Sequence, residues 1–115
     1  MSSSSDYLLP LPVRRGLRKL GSDLRDARLR RRIPAAVVAE RASISRKTLF
    51  RLEQGDPAVS VGIAGKVLFV LGFSERLAEL ADIRNDTNGL ALLDEQLPKR
   101  IRTKKRRPIQ QDGSP

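Results

Sequence analysis

Side chains that can bind nucleic acid are concentrated in one short stretch, residues 45–54, with the sequence SRKTLFRLEQ. On a helix, where successive residues are rotated by about 100°, this stretch has two distinct faces. One face carries the residues that can pack inward, which are Ser45, Leu49, Leu52 and Glu53. The other face carries long projecting side chains, which are Arg46, Lys47, Phe50 and Arg51, with Thr48 beside them. This division is what a helix lying in a DNA groove requires.

The projecting residues have different chemistry. Arg46 and Lys47 lie in the first turn and are the best candidates for hydrogen bonds to guanine O6 and N7. Thr48 can bond a phosphate or touch a thymine methyl group. Arg51 is either a base reader or a phosphate clamp. Phe50 either meets thymine methyl groups or packs on a neighbouring loop.

The stretch is the second half of a predicted helix-turn-helix at about residues 34–54. The first helix is expected over residues 34–42, because Pro34 suits a first turn. The turn contains Ser43 and Ile44. The Ser45 hydroxyl can cap the second helix, whose N-terminal end also attracts phosphate, and Gly55 can end it. We therefore include Ser45 among the phosphate contacts.

A strongly basic helix is predicted before this motif, over residues 13–32. Leucines and one alanine recur on one face, at positions 17, 20, 24 and 27. Gly21 either weakens this helix or marks its true start, with Ser22 as the cap. The cations on the other faces are either solvated or lie along DNA phosphates, and we expect phosphate contacts from Arg30, Arg31 and Arg32.

Glu53 falls on the inward side of its helix. A buried carboxylate needs a partner, and Arg28 can supply one from the inner side of the first helix. The alternative is an exposed Glu53.

The remaining chain predicts two more helices and two tails. Residues 1–12 are expected to form a flexible arm. A mostly apolar helix is expected over residues 60–71, followed by a fifth from Ser74 with Leu77, Leu80 and Ile83 inward. Residues 84–115 are expected to hold a partner-binding or dimer-forming segment and a disordered basic tail, with phosphate contacts from Lys99, Arg100 and Arg102.

Composition narrows the function. The 115 residues include 23 Lys and Arg against 13 Asp and Glu, a net charge of +10, which is typical of a polyanion binder. There is no His or Cys, so the commonest metal sites and nucleophile–base pairs cannot form. We expect no metal, no cofactor and no enzymatic activity. Neither a secretory signal nor a membrane span is evident, which predicts a cytoplasmic protein.

Residues 17–81 resemble the Xre/Cro-type helix-turn-helix family of phage and bacterial repressors. The resemblance is carried by Arg28, Ile33, Ala39, Glu40, Ala42, Ile44, Ser45, Arg46, Thr48, Leu49, Arg51, Leu52, Glu53, Gln54 and Gly55. It implies an all-α fold, a compact five-helix, lambda repressor-like DNA-binding bundle over residues 13–83. It also implies a homodimer on a palindromic operator and an Arg28–Glu53 ion pair.

Two positions depart from the family pattern. Ala35 stands where the family often has a Gln that anchors the DNA backbone. Ser43 stands where the family usually has a turn Gly, so Ser43 must adopt an unfavourable backbone conformation or form a different turn.

The whole chain, including residues 89–102, is also similar to HipB-type antitoxins. That similarity implies a repressor of its own operon that neutralises a HipA-family kinase toxin. The alternatives are a stand-alone Xre-family repressor, and a non-specific binder of nucleic acid or anionic surfaces.

Overall fold

A computed structural model describes the backbone of residues 8–105 and the side chains of residues 8–96. This part of the chain contains α-helices and one short 3-10 helix, and no strand, so the predicted all-α fold is confirmed. The helices are α1 (Leu11–Arg30), α2 (Ala35–Arg41), α3 (Arg46–Glu53), α4 (Val61–Leu71), α5 (Ser74–Ala78) and α6 (Thr87–Lys105), with the 3-10 helix at Ile83–Asn85.

The chain divides into two compact units, Met1–Leu77 and Ala78–Pro115. The first contains α1 to α4 and most of α5, and the second contains the 3-10 helix and α6. The predicted division at residues 83 and 84 therefore lies a few residues later than the boundary between these units.

Helix α1 is continuous over 20 residues. It begins at Leu11, inside the predicted arm of residues 1–12, because Pro12 occupies the first turn, where its missing N–H would have no partner. Residues 1–7 of that arm lie outside the described residues. Gly21 is buried within the helix, so the interpretation of Gly21 as the helix start was wrong. It sits there because α3 passes too close for a side chain.

The helix-turn-helix consists of α2 and α3. Pro34 precedes the first turn of α2, and the Ser45 hydroxyl accepts the N–H of Thr48 at 3.0 Å to cap α3. Ser43 in the turn has a φ of 57°, so the unfavourable left-handed conformation is the one it adopts. Gly55 ends α3 with a φ of 80°, a conformation that glycine adopts at little cost.

The core of the first unit is small and aliphatic. Leu49 and Val38 are fully buried, and they bring the two helices of the motif together over α1 and α4. The buried apolar set comprises Leu24, Ala27, Val38, Ala39, Ala42, Leu49, Leu52, Ala64, Val67 and Leu71. Burial of these side chains away from water is the main force that fixes α3 on the domain.

Helix α4 is only partly buried. Its cap is the Ser60 hydroxyl, which accepts the N–H of Ile63 at 3.1 Å. One side of the helix packs in the core, while Val61 and Phe69 remain exposed to solvent. Helix α5 is shorter than predicted, and Leu80 and Ile83 are exposed rather than inward. The helix does not continue past Ala78 because the next carbonyl has another partner: the Asn85 side chain donates to the Glu79 carbonyl at 2.9 Å.

The prediction of a disordered tail was wrong for residues 99–105, which belong to helix α6. The Asn88–Gly89 pair lies in the first turn of this helix, where the Asp86 carboxylate accepts the Gly89 N–H at 2.9 Å. The Leu, Lys and Arg residues that follow are good helix formers and extend the helix, although Pro98 in its interior has no backbone N–H to donate. Residues 106–115 lie outside the described residues.

Candidate nucleic-acid interface

Helix α3 presents one row of side chains to solvent and buries the other. Arg46, Lys47, Phe50 and Arg51 are exposed, and Phe50 retains 47% of its accessible surface. Leu49 and Leu52 are buried on the opposite side. Three guanidinium or ammonium groups therefore share an accessible face with one aromatic ring, on a helix whose rotation is fixed by its leucines.

Thr48 lies at the edge of this row and is half-buried. The Ser45 hydroxyl accepts the Thr48 N–H and donates to the Thr48 hydroxyl at 2.9 Å. The Ser45 hydroxyl is thus engaged in capping α3, and the Thr48 hydroxyl accepts the Ser45 proton. The N–H groups of Arg46 and Lys47 in the same turn have no intrahelical acceptor, as at any helix start, and these can face an anion.

Arg28 and Glu53 hold α3 to α1 with a two-pronged ion pair. Arg28 Nε donates to Glu53 Oε2 at 2.8 Å, and Nη2 donates to Oε1 at 3.1 Å. Both residues are buried. The pKa of Arg28 is raised, chiefly by its hydrogen bond to Glu53. The third Arg28 nitrogen, Nη1, donates to the Ile33 carbonyl at 3.4 Å, so the pair also braces the chain entering α2.

Gly21 and Gly55 mark two places where α1 meets the end of α3 at close range. A Cβ on Gly21 would lie 2.5 Å from the carbonyl oxygens of both Leu52 and Glu53. A Cβ on Gly55 would lie 2.8 Å from Arg18 Cα. The backbones of α1 and α3 are therefore nearly in contact, and the position of α3 depends on the absence of side chains at both glycines.

Arg51 has a partner that sequence reasoning missed. Arg51 Nε donates to Asp56 Oδ2 at 2.8 Å, while Asp56 Oδ1 accepts the Ala58 N–H at 2.9 Å. These two bonds, the backbone one first, lower the pKa of Asp56. The carboxylate is therefore charged throughout the neutral range, and the pair weakens only when the pH falls through this lowered pKa. The one available sequence signal was an acidic residue directly after the helix-ending Gly55.

The three arginines after the buried part of α1 have different surroundings. Arg30 is exposed in the last turn. Arg31 donates to the Ala27 carbonyl at 2.9 Å and places its guanidinium carbon 5.2 Å from the centre of the Phe73 ring, a cation–π contact. Arg32 is exposed and has a φ of 54°. All three remain at the surface, but Arg31 also stabilises the fold through its contacts with Ala27 and Phe73.

The remaining predicted positions lie on α6 and at the start of α2. Lys99, Arg100 and Arg102 belong to α6, and the structure describes their backbone but not their side chains. Ala35 packs against the core. Among the described residues there is no group of carboxylates that could hold a metal ion. Within the same part of the chain, no helix combines the length and apolarity that crossing a membrane demands.

Comparisons with known proteins agree with this geometry. Residues 19–81, more than half of the chain, match a family model described as a helix-turn-helix domain. No curated protein and no solved structure matches the chain. The matched residues include all of α2, α3, α4 and α5, together with residues 19–30 of α1. The chain therefore belongs to the helix-turn-helix domain family, a family of DNA-binding domains.

Proposed function

We propose that the protein is a sequence-specific transcriptional repressor that acts in the cytoplasm and inserts α3 into the DNA major groove. The observation that carries this proposal is the exposed row of Arg46, Lys47, Phe50 and Arg51 on a capped helix. Arg28 and Glu53 brace that helix from behind. Arg46 and Lys47 read guanine, Thr48 and Phe50 contact thymine methyl groups, and Arg51 reads a base one turn further along.

Phosphates are bound by cations and N–H groups outside this row. Arg30, Arg31 and Arg32 supply cations next to the motif, and the N-terminal turn of α3 at Ser45 supplies backbone N–H groups. Lys99, Arg100 and Arg102 contact phosphates from α6. These contacts position the protein and raise its affinity without selecting a sequence.

The protein binds its operator as a homodimer. Two α3 helices enter successive major grooves at half-sites roughly 10 bp apart, which makes the operator palindromic. Exposed apolar side chains support self-association, because Val61 and Phe69 on α4 would gain by leaving water. A footprint that covers one half-site, or one that lacks two-fold symmetry, would contradict the dimer.

The finer proposal is that the repressor is the antitoxin of a HipBA-like type II toxin–antitoxin system. It rests on the similarity to HipB-type antitoxins and on a second apolar surface formed by Leu90, Leu92 and Leu93 at the start of α6, all exposed. This surface binds the HipA-family kinase. Coexpression with the kinase encoded in the same operon tests it: a variant with all three leucines changed to Ser loses protection against growth arrest and keeps operator binding.

If the wild-type protein gives no protection and does not copurify with a kinase, the protein is instead a stand-alone repressor. The net charge of +10 favours one further class, a non-specific binder of nucleic acid or anionic surfaces. That class requires an affinity that is indifferent to sequence and falls steeply with salt.

The primary test is base preference after substitution in α3. Selection from a randomised duplex defines the wild-type site, and Arg46→Ala should lose about 1–3 kcal/mol of binding and relax the preference at one base pair. Arg76→Ala is the matched control, because Arg76 is exposed on α5. It should leave every base preference unchanged. Equal losses from both substitutions would refute base reading by Arg46.

A further inference from the structure

Asp56 is held in the turn that follows α3 by four hydrogen bonds, one of which is accepted by its backbone carbonyl from the Val59 N–H at 3.2 Å. Its backbone N–H donates to the Arg51 carbonyl at 3.0 Å, and one carboxylate oxygen accepts the Ala58 N–H at 2.9 Å. The other carboxylate oxygen accepts Arg51 Nε at 2.8 Å. The Asp56 side chain is 14% exposed, whereas that of Arg51 is 44% exposed. The carboxylate is thus a fixed anchor beneath an accessible guanidinium.

This anchor decides which edge of the Arg51 guanidinium is presented. The group is planar and has a donor edge at its end, formed by Nη1 and Nη2, which matches the O6 and N7 acceptors of guanine. Asp56 engages Nε, and no hydrogen bond among the described residues uses either Nη nitrogen. The end-on edge is therefore left available while the rest of the side chain is held.

We propose that Asp56 is a positioning residue for Arg51, which fixes the guanidinium for a two-bond contact with a single guanine. The inference rests on the proposed sequence-specific DNA binding by α3. Asp56 also has opposite effects on non-specific and on sequence-specific DNA binding. A carboxylate beside the DNA repels phosphates wherever the protein binds, so Asp56 disfavours random DNA and sharpens the choice of base at one position.

The test compares base preference in Asp56→Asn, Arg51→Ala and the double variant. Asn keeps the shape of Asp and one oxygen for the Ala58 N–H, but its amide nitrogen cannot accept a bond from Arg51 Nε. Against the site selected by the wild type, D56N should reduce the preference for guanine at one base pair about tenfold. Its binding to an unrelated duplex should be equal or stronger. R51A should lose the preference at the same base pair.

Two further variants separate positioning from simple structural support. In the R51A background, D56N should cause no additional change in base preference, because the pair acts as one unit. Arg51→Lys keeps the charge but lacks the two-donor edge, so R51K should lose the preference as R51A does. Thermal unfolding of each variant, measured alongside, shows whether the fold is kept.

The outcomes are distinct. If D56N retains the wild-type preference at every base pair, or sharpens it with higher affinity, then Asp56 does not position Arg51 and the inference is wrong while the proposed function stands. Loss of affinity for the site and for the unrelated duplex in equal measure would also overturn it, since that result indicates only a structural role. If the wild-type protein selects no sequence at all, the proposed function fails and the inference fails with it.

Discussion

At the scale of single residues, the stability of the DNA-binding domain is most sensitive to substitution at the Arg28–Glu53 pair. Both charges are buried and each is satisfied mainly by the other. Such a pair adds little compared with well-packed apolar residues, but loss of one member leaves a buried charge without compensation. The pair is therefore a point where a single substitution has a large effect.

Arg28→Ala should lower the free energy of unfolding by about 3–5 kcal/mol, as measured by urea denaturation. Lys19→Ala is the control, since the Lys19–Asp23 pair is exposed and should contribute about 0–1 kcal/mol. The double variant Arg28→Met, Glu53→Leu should recover most of the stability. A decrease below about 1 kcal/mol for Arg28→Ala would mean that water reaches Glu53.

Residue-scale features differed in how far sequence could predict them. Glu53 was expected to face inward because its helical position follows directly from the leucines at 49 and 52. The Arg51–Asp56 bond could not be predicted in the same way, because it spans the turn at Gly55 and depends on that turn's dihedral angles. The exposed positions of α3 were predictable, whereas the orientation of each charged group was not.

At the scale of elements, four helices end in the same way. Each of α1, α2, α3 and α4 is followed by a residue with left-handed backbone angles. The backbone N–H of this residue donates to the carbonyl three residues earlier, and the N–H of the next residue donates to the carbonyl five residues earlier. This is the Schellman motif, which usually carries glycine at the left-handed position. The four left-handed residues here are Arg32, Ser43, Gly55 and Gly72. Two of the four ends therefore carry backbone strain.

Ser43→Gly should raise the free energy of unfolding by about 0.5–1 kcal/mol. Relief of left-handed strain, about 1–2 kcal/mol, exceeds the entropy that glycine adds to the unfolded chain. Gly72→Ala is the matched reverse, because a Cβ at Gly72 meets nothing within 4 Å and only the dihedral penalty remains. It should destabilise by a similar amount in thermal unfolding. A neutral Ser43→Gly would mean that the turn is not strained.

The two glycines within α1 should respond to alanine in opposite directions. Gly21→Ala places a Cβ 2.5 Å from the Leu52 and Glu53 carbonyl oxygens, so α1 and α3 must move apart, and the variant should be destabilised by about 1–3 kcal/mol. Gly16→Ala meets nothing within 4 Å and should stabilise by about 1 kcal/mol through helix propensity. Urea unfolding of the two variants measures this difference. Equal effects would show that α1 and α3 can separate without cost.

The helix-turn-helix was predictable to within a residue or two because its signals are local. Pro34, Ser45 and Gly55 act within one turn of the residues that carry them. The later elements were predicted less well. The length of α5 depends on one hydrogen bond, from the Asn85 side chain to the Glu79 backbone carbonyl six residues earlier. The start of α6 depends on a cap from Asp86, which outweighs the turn tendency of Asn88–Gly89.

At the scale of the whole molecule, the net charge of +10 and the row on α3 have separate consequences. Charge attracts any DNA through counterion release, and its contribution falls with salt. The row on α3 adds interactions that depend on the bases. Phosphate-binding cations and base-reading side chains should therefore be separable by experiment, since each affects a different measured quantity.

The basic residues of α6 provide that separation. Changing Lys99, Arg100 and Arg102 to Gln should weaken binding to the selected site and to unrelated DNA by the same factor. The slope of log affinity against log salt should become shallower by about 0.9 for each phosphate that the variant no longer neutralises. Arg46→Gln should instead lower the preference at one base pair and change the slope by at most about one such step. If the triple variant abolishes base discrimination while Arg46→Gln keeps it, then α6 rather than α3 reads the sequence, and the roles proposed for the two helices must be exchanged.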